Sequence, residues 1–276
     1  MSERIKATAK EEAERVRDLA TEAARSGAYI YPVKGIYYFI SHRSLWKPLM
    51  SKLAPIISTG VGVTTFMFFF TYLPQAAILA IFNGPLAALT TILLVLSESS
   101  TISNIMSRTL FIEDALVDTF DGTLVSRNMT SLVSEGRQLR PGSDPMGKLG
   151  KLLKKPFARF SPDAIIRYII YLPLNFIPVV GTVLFVILQG RKAGPNAHTR
   201  YFQLKGMNNR QKEEYIEQRK AAYTSFGVPA VLLELIPIAG LFFAFTNTVG
   251  AALWAADLEQ RGTTAPGLRD QAKKAE

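Results

Sequence analysis

Between Lys52 and Glu98 lie 45 consecutive residues without a single Asp, Glu, Lys or Arg. They include the nearly all-aromatic stretch Phe66 to Phe70 and the apolar run Ile92 to Leu96. A membrane-spanning helix takes roughly 20 apolar residues, so this run holds two with a turn between them. Pro74 offers one place for the first helix to end. Asn83-Gly84-Pro85 offers another, as a turn with proline at the first helical position of the second helix. The competing reading is a buried core hairpin of a large soluble protein, but soluble cores rarely leave so long a stretch unpunctuated by charge. The run points to an integral membrane protein.

Two further apolar blocks follow. Tyr168 to Gly190 holds 23 residues between Arg167 and Arg191, and Ala221 to Ala256 holds 36 residues interrupted only by Glu234. The first contains Asn175-Phe176-Ile177-Pro178-Val179-Val180-Gly181 and the second Glu234-Leu235-Ile236-Pro237-Ile238-Ala239-Gly240. A polar residue, Ile-Pro and Gly thus recur at a constant offset of 59 residues. Proline removes a backbone donor and clashes with the preceding turn, so each block is expected to kink or break near its middle. The arms flanking Pro178 would each reach roughly 15–18 Å, about half the hydrocarbon thickness. That length suits a re-entrant hairpin, formed through Pro178, Gly181, Pro237 and Gly240. An ordinary kinked span is the alternative that proline alone permits. For the second block a single span is too short a use of 36 residues, and a hairpin, shallow or full-depth, is expected.

Charge placement favours hairpins independently. The chain has 32 Lys and Arg against 22 Asp and Glu, a formal net charge of +10. In a soluble protein that excess would suggest nucleic acid, but here the positions decide. Segment 1–52 carries ten basic residues, segment 98–164 nine and segment 191–220 eight. Basic residues beside membrane segments mark the cytosolic side. Four simple spans would place 191–220 on the far side, whereas two hairpins leave every charged segment cytosolic. The expected fold class is therefore an all-α integral membrane protein. It has two long transmembrane helices, about 53–75 and 84–105, and two Pro/Gly-broken re-entrant hairpins, 165–190 and 221–256. Interfacial and cytosolic helices complete it.

Residues 1–28 are expected to form a charged cytosolic N-terminal helix, ahead of a membrane domain over 29–260 and a flexible polar tail over 261–276. No apolar signal-peptide core is found in residues 2–25. Tyr29, Tyr31, Tyr37, Tyr38, Phe39 and Trp46 are interleaved with Lys34, Arg43 and Lys47, a mixture that sits at the headgroup level. Lys148, Lys151, Lys154, Lys155 and Arg159 alternate with leucines and phenylalanines. On a helix this would be a membrane-surface pattern suited to anionic lipid, with a solvated basic face as the alternative. Residues 106–164 read as a cytosolic or interfacial region, and 198–220 as a cytosolic helix between the hairpins.

Candidate chemistry is sparse. With no cysteine and only His42 and His198, thiolate sites, disulfides and a Ser-His-Asp triad are disfavoured. No phosphate-binding loop, dinucleotide glycine pattern, HExxH or GxSxG motif occurs. No catalytic residue, metal or cofactor is expected. Glu234 is the one acid inside an apolar block, and such residues are functional candidates by default. Asn175 at the matching place, Arg167, Asn247 and Gln189 are the other polar groups near membrane depth.

The segment Gly35-Ile36-Tyr37-Tyr38 leads through Leu45-Trp46-Lys47-Pro48-Leu49 to Pro55. With the paired Ile-Pro-x-x-Gly elements and the closing Ala255-Ala256-Asp257-Leu258-Glu259, this order resembles the family of the bacterial sulfate-uptake protein CysZ and the eukaryotic etoposide-induced endoplasmic-reticulum proteins. The ending Phe245 to Trp254 is especially similar to fungal members associated with lipid droplets and the outer spore wall. The resemblance covers roughly residues 30–260. It implies two full spans with two half-membrane hairpins, and it leaves the activity open, because sulfate transport belongs to the bacterial branch.

The expected function is that of a non-enzymatic membrane protein of the endoplasmic reticulum or lipid droplet surface, acting in lipid association or scaffolding. An oligomeric anion channel or transporter with a path between the hairpins is the alternative. Membrane lipids, anionic ones included, and a second copy of the chain are the expected partners; nucleic acid is not.

Overall fold

A computed structural model describes residues 21–153, 180–236 and 239–262. The chain divides into two compact units: Lys47–Leu116, and Met1–Trp46 with Val117–Glu276.

The Lys47–Leu116 unit consists of two helices and a turn. Helix α2, Trp46–Asn83, runs for 38 residues, about 57 Å at 1.5 Å per residue. Of the two breaks that the sequence allows, the chain uses the second. Pro74 and Pro55 both lie inside α2. Hydroxyls close onto backbone carbonyls beside each: Ser58 Oγ donates to Pro55 (3.0 Å) and Thr71 Oγ1 to Met67 (2.7 Å). The chain then turns through the 3₁₀ segment Gly84–Leu86, where Gly84 takes a positive φ of 52° that favours a residue without Cβ. Helix α3 follows, Ala87–Ser107. Its buried residues Ala87, Thr91, Val95 and Ser99 recur every fourth position and so share one face. The remaining surface is apolar and bare: Phe69, Ile81 and Phe82 are each between 77% and 79% exposed. Only 17% of the most apolar stretch of Arg43–Ser103 is buried, a surface that water would penalise and a hydrocarbon phase would not.

The second unit is a helical assembly built on close crossings. Helix α1, Ile30–Ser41, precedes the short 3₁₀ turn Arg43–Leu45. The chain leaves the Lys47–Leu116 unit through a π-helical turn, Arg108–Ile112, and the first residues of α4, Glu113–Ser126, and continues to the short α5, Thr130–Ser134. Strands β1, Arg137–Leu139, and β2, Leu149–Leu152, pair antiparallel with Arg137 opposite Leu152. The second half holds α6, Val180–Ala197, α7, Thr199–Leu204, α8, Asn209–Gln218, α9, Lys220–Glu234, and α10, Gly240–Gln260. Helix α1 crosses α10 where Gly35 and Gly250 meet: a Cβ on Gly35 would strike the carbonyl of Thr246, and one on Gly250 the carbonyl of Tyr31. Helices α6 and α9 approach as closely, with Gly227 against the Gly190 carbonyl and Gly194 against that of Tyr223.

Three expectations change. The fold is mostly helical with two candidate spanning helices, but it is not all-α, because β1 and β2 form a small two-stranded sheet. Lys148 and Lys151 accordingly do not lie on an amphipathic helix. Gly147 and Gly150 weaken a helix there, and Gly150 lies against the Gln138 backbone at a spacing that a side chain would fill. Residues 198–220, read as one helix, form α7, α8 and the start of α9. Gly206 turns the chain at a φ of 66°, and the side chain of Asn208 caps α8 by accepting from the Gln211 amide (2.8 Å).

Helix α10 has 21 residues, about 32 Å, and is the second candidate span by length and composition. Unlike the α2 stretch, 67% of its apolar window is buried against protein.

Candidate functional site

Glu234 ends α9 and Asn247 lies about two turns into α10, and the structure brings these two candidates together. Asn247 Nδ2 donates to the Ala230 carbonyl (2.9 Å) and to Glu234 Oε1 (3.1 Å), tying one helix to the next. Asn247 is buried, and its Oδ1 has no partner among the described residues. Gly240 explains the end of the repeated element. Its amide donates to the Ile236 carbonyl (2.8 Å), and any Cβ there would collide with the carbonyl of Glu234. Ile236 and Gly240 thus meet through a backbone bond between the end of α9 and the start of α10, with Glu234 as the last residue of α9. Gly181 falls within α6 and Gln189 one residue before the tight Gly190 crossing. Asn175, Arg167, Pro178, Pro237, Lys154, Lys155 and Arg159 lie outside the described residues.

A second polar pair was not singled out in the sequence. Gln75 Nε2, inside α2, donates to Glu98 Oε2 of α3 (2.8 Å). Glu98 marks the end of the charge-free run, and Gln75 interrupts it without a charge, which is why neither stands out in a charge count.

Among the described residues, two larger polar clusters lie elsewhere in the second unit. Arg200 on α7 holds Asp121 on α4 through two bonds, Nε to Oδ1 (2.9 Å) and Nη2 to Oδ2 (2.7 Å), both groups being almost fully buried. Arg137 on β1 adds contacts to Asp118 (2.5 Å) and Asp121 (3.5 Å). Burial pushes the Asp121 carboxyl up, and the two guanidinium groups oppose that shift. Gly136 is required beside this network, since a Cβ would meet Leu204 and the Arg200 guanidinium.

His198 is fully buried between α6 and α7. Its Nε2 lies 2.9 Å from the Ala251 carbonyl, which can only accept, so Nε2 carries the proton. Nδ1 then accepts from the Tyr223 hydroxyl at 3.0 Å. Tyr201, Phe202, Tyr223 and Trp254 surround the ring. Desolvation pushes the imidazole down to about 4, so it is neutral at physiological pH. These groups hold helices together; their spacing in sequence gives no local pattern that could have announced them.

A profile of the family described as sulfate transporter CysZ/etoposide-induced protein 2.4 matches residues 31–244, more than half of the chain. The chain belongs to this family. It is also similar to two curated proteins of Saccharomyces cerevisiae. It is 27% identical to the outer spore wall protein RRT8 over 259 residues, covering 88% of this chain and 75% of that protein. It is 24% identical to the outer spore wall protein LDS1 over 243 residues, covering 86% and 72%. The matched span of the CysZ/etoposide-induced family contains nearly all of α1, the α2–α3 hairpin and Glu234, and ends before Asn247 and Gly250.

Proposed function

We propose that this chain is a non-enzymatic integral membrane protein of the endoplasmic reticulum or lipid droplet surface. It acts by associating with lipid and scaffolding membrane, with a connection to the fungal spore wall. The observation that carries this reading is the bare apolar surface of α2 and α3, which demands a hydrocarbon environment. The names of the two yeast relatives support the spore-wall connection. The polar groups at the apolar segments also favour a structural role. Glu234 and Asn247, like Gln75 and Glu98, bond to one another.

On this reading the α2–α3 pair crosses the membrane, while the blocks around Pro178 and Pro237 enter and leave on the cytosolic face. A droplet surface has a single phospholipid layer, so such a protein must carry no soluble lumenal domain, and the charge distribution meets that condition. Lys148 and Lys151 are offered as contacts to anionic lipid. The test has two arms. A fluorescent fusion in sporulating fungal cells is expected to coincide with a neutral-lipid dye and an endoplasmic-reticulum marker. Purified protein in liposomes is expected to give no sulfate flux; flux above that of protein-free vesicles would replace scaffolding with anion transport, the function in this family's name.

A further inference from the structure

Where α1 passes the end of α4 and the last turns of α10, a cavity of about 390 Å³ opens, a volume within the range of small-ligand pockets. Its polar lining comes from Tyr31, Lys34, Tyr38, Arg127 and Asp257. Asp257 is already engaged twice: Oδ2 accepts from the Tyr31 hydroxyl (2.7 Å), and Oδ1 lies 3.5 Å from Arg127 Nη2. That second contact is long, and Arg127 Nε is buried with no hydrogen-bond partner among the described residues. A buried N–H in this state calls for an acceptor, and none of the described residues supplies one. Lys34 brings a second cation, its Nζ 4.9 Å from the centre of the Tyr31 ring. The lining therefore carries two positive charges against one negative.

The walls hold these groups in place. Tyr38 is fixed by its hydroxyl contact with Ser126 (2.8 Å) and by stacking on His42 with ring centres 3.8 Å apart. Val33 and Leu253 give the rim an apolar side, and Val33 itself is exposed.

We propose that this cavity binds the phosphate ester of a glycerophospholipid headgroup. The net charge of one matches a monoanionic phosphodiester. The Arg127 guanidinium and the Lys34 ammonium donate to its free oxygens, and the apolar rim receives the start of the glycerol and acyl chains. The site joins α1, α4 and α10, so an occupied cavity would fasten all three at the level of the lipid headgroups. This inference rests on the membrane reading but not on the choice of organelle or on scaffolding.

The full chain, purified in detergent, is titrated calorimetrically with dihexanoyl phosphatidylglycerol below its micelle concentration, and separately with inorganic phosphate. Saturable binding at one lipid per chain is expected, weakened about tenfold by Arg127→Gln and by Lys34→Gln. Lys34 is exposed, so its variant keeps the test valid even if Arg127→Gln fails to fold. Lipid binding unchanged in Lys34→Gln, or no saturable binding by the wild type, overturns the proposal. Inorganic phosphate binding as tightly as the lipid overturns the lipid assignment in favour of a free anion. Resistance of the wild type to carbonate extraction from membranes checks the underlying reading separately, so a firmly embedded protein that binds no lipid defeats this proposal alone.

Discussion

Asn247 of α10 reaches back to the end of α9 and donates to Glu234 Oε1 at 3.1 Å, while its own Oδ1 stays buried and unpartnered among the described residues. The pair accounts for a carboxylate in an apolar block: the acid is an acceptor for the amide that clamps α9 to α10. In Glu234→Gln the side-chain oxygen still accepts from Asn247 Nδ2, and the new amide gains the chance to donate to Oδ1. The variant should express and assemble normally, with a thermal midpoint in detergent equal to or above that of the wild type. A midpoint several degrees lower would mean that the charge itself is needed. A well-folded variant that had lost a measurable ion flux would place transport ahead of scaffolding.

The glycines divide into two groups, and this makes a second prediction. Gly227 faces the Gly190 carbonyl across the α6–α9 crossing, whereas Gly62 in α2 has nothing within 4 Å of where a Cβ would stand. Gly227→Ala must push the helices apart, at a cost of about 1–3 kcal/mol. Gly62→Ala should be neutral or stabilising by about 0.5–1 kcal/mol, through reduced backbone freedom. Thermal unfolding of the two variants side by side measures the difference; equal midpoints would show that the α6–α9 crossing is looser than described.

Burial of His198 makes stability depend on pH. Its folded value of about 4 lies below the ordinary 6.5, so the unfolded chain binds the proton more readily. Stability is then complete above about pH 6.5 and falls as the pH drops towards 4. At pH 5 the loss from this group amounts to about 2 kcal/mol. Unfolding in denaturant at pH 7.5 and pH 5 should show the decline, and His198→Phe should flatten it while lowering stability at both pH values. A decline of equal size in His198→Phe would assign the effect to other groups.

Breaking the Arg200–Asp121 pair should be among the most damaging single changes. Arg200→Leu leaves Asp121 fully buried beside one remaining guanidinium, and removing one partner of a buried pair costs about 3–5 kcal/mol. The double variant Arg200→Leu with Asp121→Leu should lose less than the sum of the two single variants, because no charge is then stranded. Additive losses would show that the two side chains act independently.

The parts of this architecture that local physics controls were readable in advance. A hydrocarbon environment requires an uninterrupted apolar surface, so the run from Lys52 to Glu98 announced the α2–α3 hairpin directly. Gly240, singled out in the sequence by its place after Ile-Pro, stands where any Cβ would meet the Glu234 carbonyl. Lys148 and Lys151 misled, since alternating leucine and lysine fit either a helix face or a strand, and Gly147 with Gly150 tipped the balance to a strand. Arg200 and Asp121 are 79 residues apart, and His198 meets Ala251 across 53 residues. Contacts of that kind arise from tertiary packing and leave no periodicity to read. The same is true of Lys34, read in the sequence only as a headgroup-level cation, and of Arg127, which no sequence pattern singled out; the fold places both around one cavity.

The side of the membrane on which the charged segments lie has its own test. Asn128-Met129-Thr130 is the chain's only glycosylation sequon. Asn128 lies just past α4 in a left-handed conformation, with a φ of 63°, and its side chain is exposed. A glycosyltransferase meeting this loop would therefore find the acceptor accessible, so a lack of modification reports on the compartment rather than on burial. The expected outcome in cells is an unmodified Asn128, because the hairpin reading keeps the loop 98–164 in the cytosol. A glycosidase-sensitive mass shift that disappears in Asn128→Gln would invert the orientation. A cysteine placed at Gln189 and another at Tyr168 would then show whether the first hairpin turns back, since the native chain has no cysteine to interfere. Labelling of both from the cytosolic side by an impermeant thiol reagent is expected, and labelling from opposite sides would turn that block into a full span.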